Sequence, residues 1–138
     1  MELKELKTFN SWEEFIKQIK YSDERSVYLS GAISSIGIEA ASKKFEYFRQ
    51  LFMSEDICTS STFSQLHPSR RKKIYYIRHG IKTMVDKDAV IILGDNTISE
   101  GSKIEERLAK DLNMPIYQIL FTDIDNIEKE TLTIKQIN

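Results

Sequence analysis

The sequence has little of what stabilises small secreted domains or holds metal ions. Its 138 residues include a single cysteine, Cys58, which excludes an intramolecular disulfide and a cysteine-rich zinc site. His67 and His79 are the only two histidines, and no H-E-x-x-H motif is present. We therefore expect no metal, no cofactor and a reducing, cytoplasmic compartment.

Long apolar runs and an excess of one charge are also missing. The longest apolar run, Ala89–Leu93, is far too short to span a bilayer, and the N-terminus lacks the layout of a signal peptide. The 20 Lys and Arg residues nearly balance the 21 Asp and Glu residues, so no net positive field favours binding to nucleic acid. These absences predict a soluble protein that has neither a membrane nor a nucleic acid as partner.

What remains is an ordinary globular composition in which strand and helix patterns alternate. Hydrophobic residues make up 41% of the chain and charged residues 30%. The predicted strands are Ser26–Ser30, a short one near Ile57, Ala89–Leu93, Pro115–Leu120 and Thr131–Ile134. The first predicted helix, Trp12–Lys20, follows a capping box formed by Ser11 and Glu14. The second begins after Gly37 and carries Ala41, Phe45, Phe48 and Phe52 on one face, and the third begins at Pro68 and Ser69. The fourth begins near Gly101, and its residues Ile104, Leu108 and Leu112 are expected to point inward.

This alternation, with two strands that are continuously apolar, predicts an α/β fold. We expect one domain over residues 1–138, with an open, doubly wound, Rossmann-like or flavodoxin-like parallel sheet and helices on both faces. Residues 1–24 are expected to form a helical extension and residues 121–138 a polar tail. Ligands of such sheets bind beyond the carboxyl ends of the strands, so the loops after Ser30, Ile57 and Leu93 are the places to look for a site.

The first of these loops reads SGAISSIG and contains Ser30, Gly31, Ala32 and Ser34. Glycine allows a tight turn, and the N–H groups at a helix start favour an anion. Neither G-K-[ST] nor G-x-G-x-x-G is present. The loop is therefore open to two interpretations, a phosphate-binding loop or a plain turn.

The loop after Leu93 reads GDNTISEGSKIEERLA and leads into the fourth helix. Ser99, Gly101 and Ser102 are suited to begin that helix, and Glu105 lies one turn inside it. Glu105 flanks the apolar face and could point toward the ligand crevice. It also has a structural interpretation, because acidic residues near a helix start complement the helix dipole.

The only basic run is Ser69–Lys73 (SRRKK), with Arg78 and His79 farther along the same predicted helix. Such a run is either a solvated helix start or a clamp for phosphate, for which the bidentate geometry of arginine is well suited. No Ser/His/Asp or Cys/His constellation can be built from these residues.

The order of four segments is more informative than any one motif. They read V-Y-L-S-G-A-I-S, then Y-I-R-x-x-I, then D-A-V-I-I-L, then S-E-G-S-K-I-E-E-R-L-A-x-x-L-N-x-P-I. Together they resemble the nucleoside 2-deoxyribosyltransferase-like superfamily, and within it the short bacterial and phage members of mostly unassigned role. The resemblance covers roughly residues 27–120.

This resemblance implies roles for individual residues. Characterised members cleave or exchange the N-glycosidic bond of nucleosides or nucleotides through a glutamate in a G-[TSA]-x-x-E stretch, which implies that Glu105 is the nucleophile attacking C1′ of the sugar. Tyr28 matches a tyrosine that can donate a hydrogen bond to this glutamate. The substrate-binding residues implied by the loops and the resemblance are Ser30, Gly31, Ala32, Ser34, Arg78, Asp95, Ser99, Gly101 and Ser102, of which Ser99 matches a serine facing the 5′-phosphate in nucleotide-specific relatives.

The chain departs from the family pattern at three places. Gly80 stands where an aspartate commonly follows the arginine of the R-x-D-I segment, Ala41 stands where the second helix has an asparagine, and Thr59-Ser60 replaces an N-P pair. His79 or Asp95 could compensate for the missing acid.

Two functions of different class follow. One is an N-glycoside hydrolase or deoxyribosyltransferase; the other is a non-catalytic protein that binds a nucleotide or a nucleotide-derived signal, such as a phage counter-defence protein that sequesters a messenger. A scaffold that acts through protein contacts is a third possibility. The expected partners are a small-molecule nucleoside or nucleotide and, by the resemblance alone, further copies of the chain in a homo-oligomer.

Overall fold

The computed structural model describes residues 7–32, 36–61, 73–122 and 127–138. The strands in this part are β1 (Thr8–Phe9), β2 (Ser26–Ser30), β3 (Cys58–Ser61), β4 (Ala89–Leu93), β5 (Ile116–Leu120) and β6 (Thr133–Gln136). The helices are α1 (Trp12–Tyr21), α2 (Ile38–Met53), α3 (Lys73–Met84) and α4 (Glu100–Asp111), and a 3-10 turn spans Lys129–Thr131. No helix in these ranges is long and apolar enough to cross a membrane.

The strands form one open sheet in the order β1-β6-β5-β4-β2-β3. The strands β3, β2, β4 and β5 are parallel, while β6 is antiparallel to β5 and β1 is antiparallel to β6. The chain moves outward from β2 to β3 in one direction and from β4 to β5 in the other, so the strand order reverses between β2 and β4. The predicted doubly wound α/β fold is confirmed, and its switch point lies between β2 and β4.

Two hydrophobic clusters, one on each face of the sheet, hold the helices in place. Helices α1 and α2 cover the face on which Val27 and Leu29 lie, and helices α3 and α4 cover the face on which Tyr28 lies. Successive side chains of a strand point to opposite faces, so β2 contributes alternately to the two clusters. Burial on both faces explains why β4 is apolar at all five positions.

One predicted helix face is wrong in part. Of the three residues expected to point inward from α4, Ile104 (37% exposed) and Leu112 (50% exposed) are exposed, whereas Leu108 is partly buried and packs against the cluster that contains Tyr28. The buried residues of α4 are Ser102, Glu105 and Ala109. The physical reason is that β2 presents two hydroxyl groups under the first turns of α4, so the polar side of the helix is the complementary one.

The chain ends complete the sheet. Strand β6 begins two residues later than predicted, and β1 was not predicted at all. Ile134 is 1% exposed and lies opposite Ile119, and the Asn138 side chain accepts a hydrogen bond from the Ile116 N–H and donates one to the Met114 carbonyl oxygen. The segment expected as a polar tail thus carries a strand with a buried side chain.

Candidate active site at the carboxyl end of strand 2

Four side chains from β2 and α4 form a buried hydrogen-bonded cluster. The members are Tyr28, Ser30, Ser102 and Glu105, each at most 5% exposed. The Tyr28 hydroxyl donates to Oε2 of Glu105, and the Ser30 hydroxyl donates to Oε1 of Glu105 over 2.8 Å. The Oγ atoms of Ser30 and Ser102 lie 2.7 Å apart. Both oxygens of one carboxylate are therefore held by hydroxyl groups.

The direction of each bond in this cluster follows from the number of protons available. A serine hydroxyl has one proton, and that of Ser30 is donated to Glu105. The Ser30 oxygen must then accept from Ser102. The chain Ser102 to Ser30 to Glu105 is directional, and it fixes the rotation of the carboxylate together with Tyr28.

Local periodicity explains why these four residues meet. Tyr28 and Ser30 are two residues apart on a strand and share a face, while Ser102 and Glu105 are three residues apart on a helix and share another. The Ser99 hydroxyl begins α4 by accepting from the Ser102 N–H over 3.2 Å. This cap sets the first turn of α4 directly above the end of β2.

The loop between β4 and α4 forms one wall of the switch point. Gly94 has φ +81°, a backbone conformation that favours glycine, and the Gln118 side chain donates to its carbonyl oxygen over 3.0 Å. Asp95 is exposed and accepts a hydrogen bond from the Thr97 N–H. Hydrogen bonds from the backbone and the side chain of Thr97 lower the pKa of Asp95. Asn96 is buried and donates to Glu106 on α4. Asp95 thus lies at the predicted edge of the sheet without a hydrogen bond to the cluster.

The start of the loop between β2 and α2 forms the other wall. A Cβ on Gly31 would lie 2.9 Å from the Leu93 carbonyl oxygen, so only glycine allows β2 to end this close to β4. The carbonyl oxygen of Ala32 accepts from Nζ of Lys44 over 2.8 Å. Lys44 is 2% exposed, and burial lowers its pKa to about 8. Ser34, predicted to bind substrate, lies outside the described residues.

Arg78, the residue of α3 that is predicted to bind substrate, lies outside this cluster. Arg78 is exposed, and no hydrogen bond among the described residues joins it to Tyr28 or Glu105. Gly80, where the resemblance leads one to expect an acid, is buried, and the His79 ring stacks on Tyr75 with centroids 5.8 Å apart. Gly101 packs α4 against α3, because a Cβ there would lie 3.4 Å from Ile77. The proposed opening of this helix at Pro68 and most of the basic run lie outside the described residues.

Among the described residues, sequence reasoning missed the buried charged residues Lys44 and Glu24. Lys44 follows Ala41 by three residues and precedes Phe48 by four, so the helical period that placed those two residues inward also places Lys44 inward. Glu24 has no such signal, because it lies in the short irregular segment between α1 and β2. Its carboxylate accepts from the Tyr117 hydroxyl at 3.0 and 3.2 Å, and burial raises the pKa of Glu24 to about 7.

Comparison with known families identifies the family of this chain. A family model described as a domain of unknown function, DUF4406, matches residues 25–118, which is more than half of the chain. The chain belongs to the DUF4406 family. The matched range begins just before β2 and ends inside β5, so the DUF4406 domain includes the whole Tyr28–Glu105 cluster and both loops of the switch point. Searches of curated proteins and of solved structures returned no match.

The chemistry available to this DUF4406 domain is that of a positioned carboxylate. Among the described residues, no group of three or more His, Cys, Asp or Glu side chains lies close enough to hold a metal ion. Glu105 is oriented through both oxygens and lies at the edge of the sheet where α/β proteins bind ligands. Such a carboxylate can stabilise a developing positive charge or form a covalent ester.

Proposed function

We propose that this DUF4406 protein cleaves or exchanges the N-glycosidic bond of a nucleoside or nucleotide, with Glu105 as nucleophile. The observation that carries the proposal is the burial of Glu105 at the switch point with both carboxylate oxygens held by hydroxyl donors from β2. The resemblance of the sequence to nucleoside 2-deoxyribosyltransferase-like proteins supplies the substrate class.

The proposed reaction has two steps. A carboxylate oxygen of Glu105 forms a bond to C1′ of the sugar while the C1′–N bond breaks, and the departing base keeps the electron pair and takes a proton from solvent. Water then attacks C1′, the ester bond to Glu105 breaks, and a proton is released to solvent. In a transferase, a second base takes the place of water and gives up the proton.

Tyr28 and Ser30 act in this scheme as positioning residues for Glu105. A nucleophile must approach the reacting carbon along one direction, and two hydroxyl donors on one carboxylate restrict its rotation. Ser102 acts one bond farther away by holding the proton of Ser30 toward Glu105. This role differs from the substrate contact that the sequence predicts for Ser30 and Ser102.

The substitution Glu105→Gln tests the proposal. The amide has the size of the carboxylate, its oxygen can accept from Tyr28, and its NH₂ group can donate to Ser30, so the fold should persist. We expect release of free base from a mixed panel of nucleosides and nucleotides to fall at least about a thousandfold, because an amide oxygen is a poor nucleophile. Mass spectrometry of the reaction mixture measures the released bases.

The matched control is Glu106→Gln, the same change at the next residue of α4. The Glu106 carboxylate accepts hydrogen bonds from the side chains of Asn96 and Lys110 and is not part of the Tyr28–Glu105 cluster. This variant should therefore keep wild-type turnover. If Glu105→Gln releases base as fast as Glu106→Gln, Glu105 is not the nucleophile.

A second candidate is a protein that binds a nucleotide or nucleotide-derived signal without reaction. Nucleoside 2-deoxyribosyltransferase-like proteins commonly have an aspartate where this chain has Gly80, which is buried on α3. This difference favours the second candidate, because the acid expected to engage the sugar or base is missing. It predicts ligand that stays with the protein after desalting, with no base released by the wild type. The same mass spectrometry experiment distinguishes the two candidates. A homo-oligomer and a cytoplasmic location remain predictions of the sequence.

A further inference from the structure

A cavity of about 370 Å³ lies between α2 and the edge strand β3. Ser42, Glu46 and Arg49 line it from α2, where their spacing of four and three residues places them on one face of the helix. Thr59 and Ser61 line it from β3. All residues that line the cavity belong to the described part of the chain.

The cavity is separate from the Tyr28–Glu105 cluster. Leu29 also lines it and packs with α1 and α2 on one face of the sheet, while Tyr28 lies on the other face. The register pairs Ser61 with Leu29, and paired residues of neighbouring strands point to the same face. The cavity and the candidate active site thus lie on opposite faces of the sheet.

Small polar side chains on β3 leave this space unfilled. On β2 the residues that face α2 are Val27 and Leu29, and their partners on β3 are Thr59 and Ser61. Protein interiors are close-packed, so the space between a helix and a sheet is normally filled by larger apolar side chains. Here the floor of the interface ends in hydroxyl groups, which suit a polar occupant.

Several hydrogen-bonding groups at the cavity are available to a ligand. The side-chain hydroxyls of Ser42 and Thr59 make no hydrogen bond to another described residue, and each offers one donor and two acceptor lone pairs. Arg49 has five N–H groups, of which Nε and Nη2 donate to Glu46 over 2.8 and 2.6 Å and Nη1 donates to Sδ of Met53 over 2.7 Å. Two N–H groups of Arg49 therefore remain.

The charges at the cavity cancel. Glu46 and Arg49 are the two charged residues that line it, and both oxygens of Glu46 accept from Arg49. The hydrogen bonds from Arg49, followed by that from Gln50, lower the pKa of Glu46 to about 2, so the pair is ionised at neutral pH. A phosphate would compete with Glu46 for the same two-pronged contact to Arg49. The cavity therefore favours a neutral ligand over an anion.

We propose that this cavity binds a neutral polyhydroxylated molecule of the size of one sugar ring. Ligand cavities range from about 300 to 1,000 Å³, so this one is at the small end of the range. Sugar hydroxyls both donate and accept, which matches the two hydroxyls and the two N–H groups that remain. The C–H groups of the ring match the apolar part of the lining, Leu29 and Phe45. The proposal does not depend on the reaction proposed for Glu105.

A purely protective role for the polar side chains of β3 predicts a different result. Edge strands carry polar residues that prevent pairing with another molecule. If Thr59 serves only this purpose, removal of its hydroxyl promotes self-association and changes the binding of no small molecule. If Thr59 contacts a ligand, the same change weakens the binding of that ligand.

The experiment titrates D-ribose, D-glucose and sorbitol into isotope-labelled protein and follows the amide signals by two-dimensional NMR. We expect saturable shifts of signals from residues 42–49 and 58–61 with at least one of these probes. Thr59→Val replaces the hydroxyl with a methyl group and should weaken binding at least about fivefold, the effect of one lost hydrogen bond. The matched control is Thr133→Val, the same change at an exposed residue of β6, which should bind like the wild type.

The proposal is overturned if no probe gives saturable shifts at these residues, or if Thr59→Val binds as tightly as Thr133→Val. It is also overturned if inorganic phosphate binds in the cavity more tightly than every neutral probe, because the charges would then not cancel for a ligand. Saturable shifts confined to the Tyr28–Glu105 cluster would place sugar binding on the other face and overturn it as well. Base release by Glu105→Gln is measured in a separate assay, so this proposal and the proposed function can fail independently.

Discussion

At the scale of single residues, two buried acids have different surroundings. Glu105 is held by the hydroxyls of Tyr28 and Ser30, and Ser102 supports the second of these. Glu24 has one hydroxyl donor, that of Tyr117, and burial raises its pKa to about 7, with the nearby charge of Asp88 adding to the rise. Both carboxyl groups have hydroxyl donors, and burial at the Glu24 site penalises ionisation of that group.

The penalty at Glu24 predicts a pH dependence of stability. Between about pH 4.5 and 7 the unfolded chain loses the Glu24 proton while the folded chain keeps it, so the free energy of unfolding falls as the pH rises. Glu24→Gln cannot titrate. We expect its stability relative to the wild type to increase by about 1–3 kcal/mol from pH 4.5 to pH 8, measured by urea denaturation. The exposed Glu13→Gln is the control, and a Glu24→Gln difference that stays constant with pH would contradict the assignment.

The site residues differ in how far the sequence could predict them. The contact between Tyr28 and Glu105 was accessible from the resemblance, and it is present, although their catalytic role stays a prediction. Lys44 was accessible from the helical period of α2. Glu24 was not, because its burial depends on a tyrosine 93 positions away in the chain and no local pattern records that contact.

At the scale of elements, α4 shows that a helix can bury its less hydrophobic side. Ile104 and Leu112 of its apolar stripe are exposed, while Glu105 and Ala109 face the sheet and Leu108 is only partly buried against the core. Periodicity locates a stripe, but the side chains opposite the helix decide whether the stripe is covered. Here the opposing strand offers hydroxyl groups, and burying polar side chains is favourable only where they are mutually hydrogen-bonded.

This packing predicts that a substitution at the exposed end of α4 changes the free energy of unfolding much less than one on its buried side. Leu112→Lys adds a charge at a half-exposed position near the helix C-terminus, where a cation is favourable, and should change the free energy of unfolding by less than about 1 kcal/mol. Ala109→Leu inserts three carbons beside Tyr28 and should cost about 1–3 kcal/mol. Chemical denaturation measures both. A Leu112→Lys cost as large as that of Ala109→Leu would mean that the stripe is covered.

At the scale of the whole molecule, the parallel strands were predictable, but the edge strand β1 was not. Continuous apolar strands between helices restrict the sheet to a doubly wound arrangement, and right-handed crossovers then place the switch point beside β2. The two-residue strand β1 pairs with β6, and β6 pairs in turn with β5. The formation of β1 is therefore a property of the assembled sheet rather than of its own sequence.

The same reasoning predicts that the C-terminal strand stabilises the whole domain. Ile134 is buried among residues of α1, α2 and the central strands, so Ile134→Ala should lower the free energy of unfolding by about 2–4 kcal/mol. Ile98→Ala, the same truncation at a side chain that is 61% exposed, should cost less than about 1 kcal/mol. Trp12 is the only tryptophan and lies in the same cluster, so its fluorescence and the circular dichroism should report one coincident transition. Separate transitions in Ile134→Ala would mean that β6 and β1 form a unit that unfolds before the parallel sheet, and that the cluster at Glu105 is stable without them.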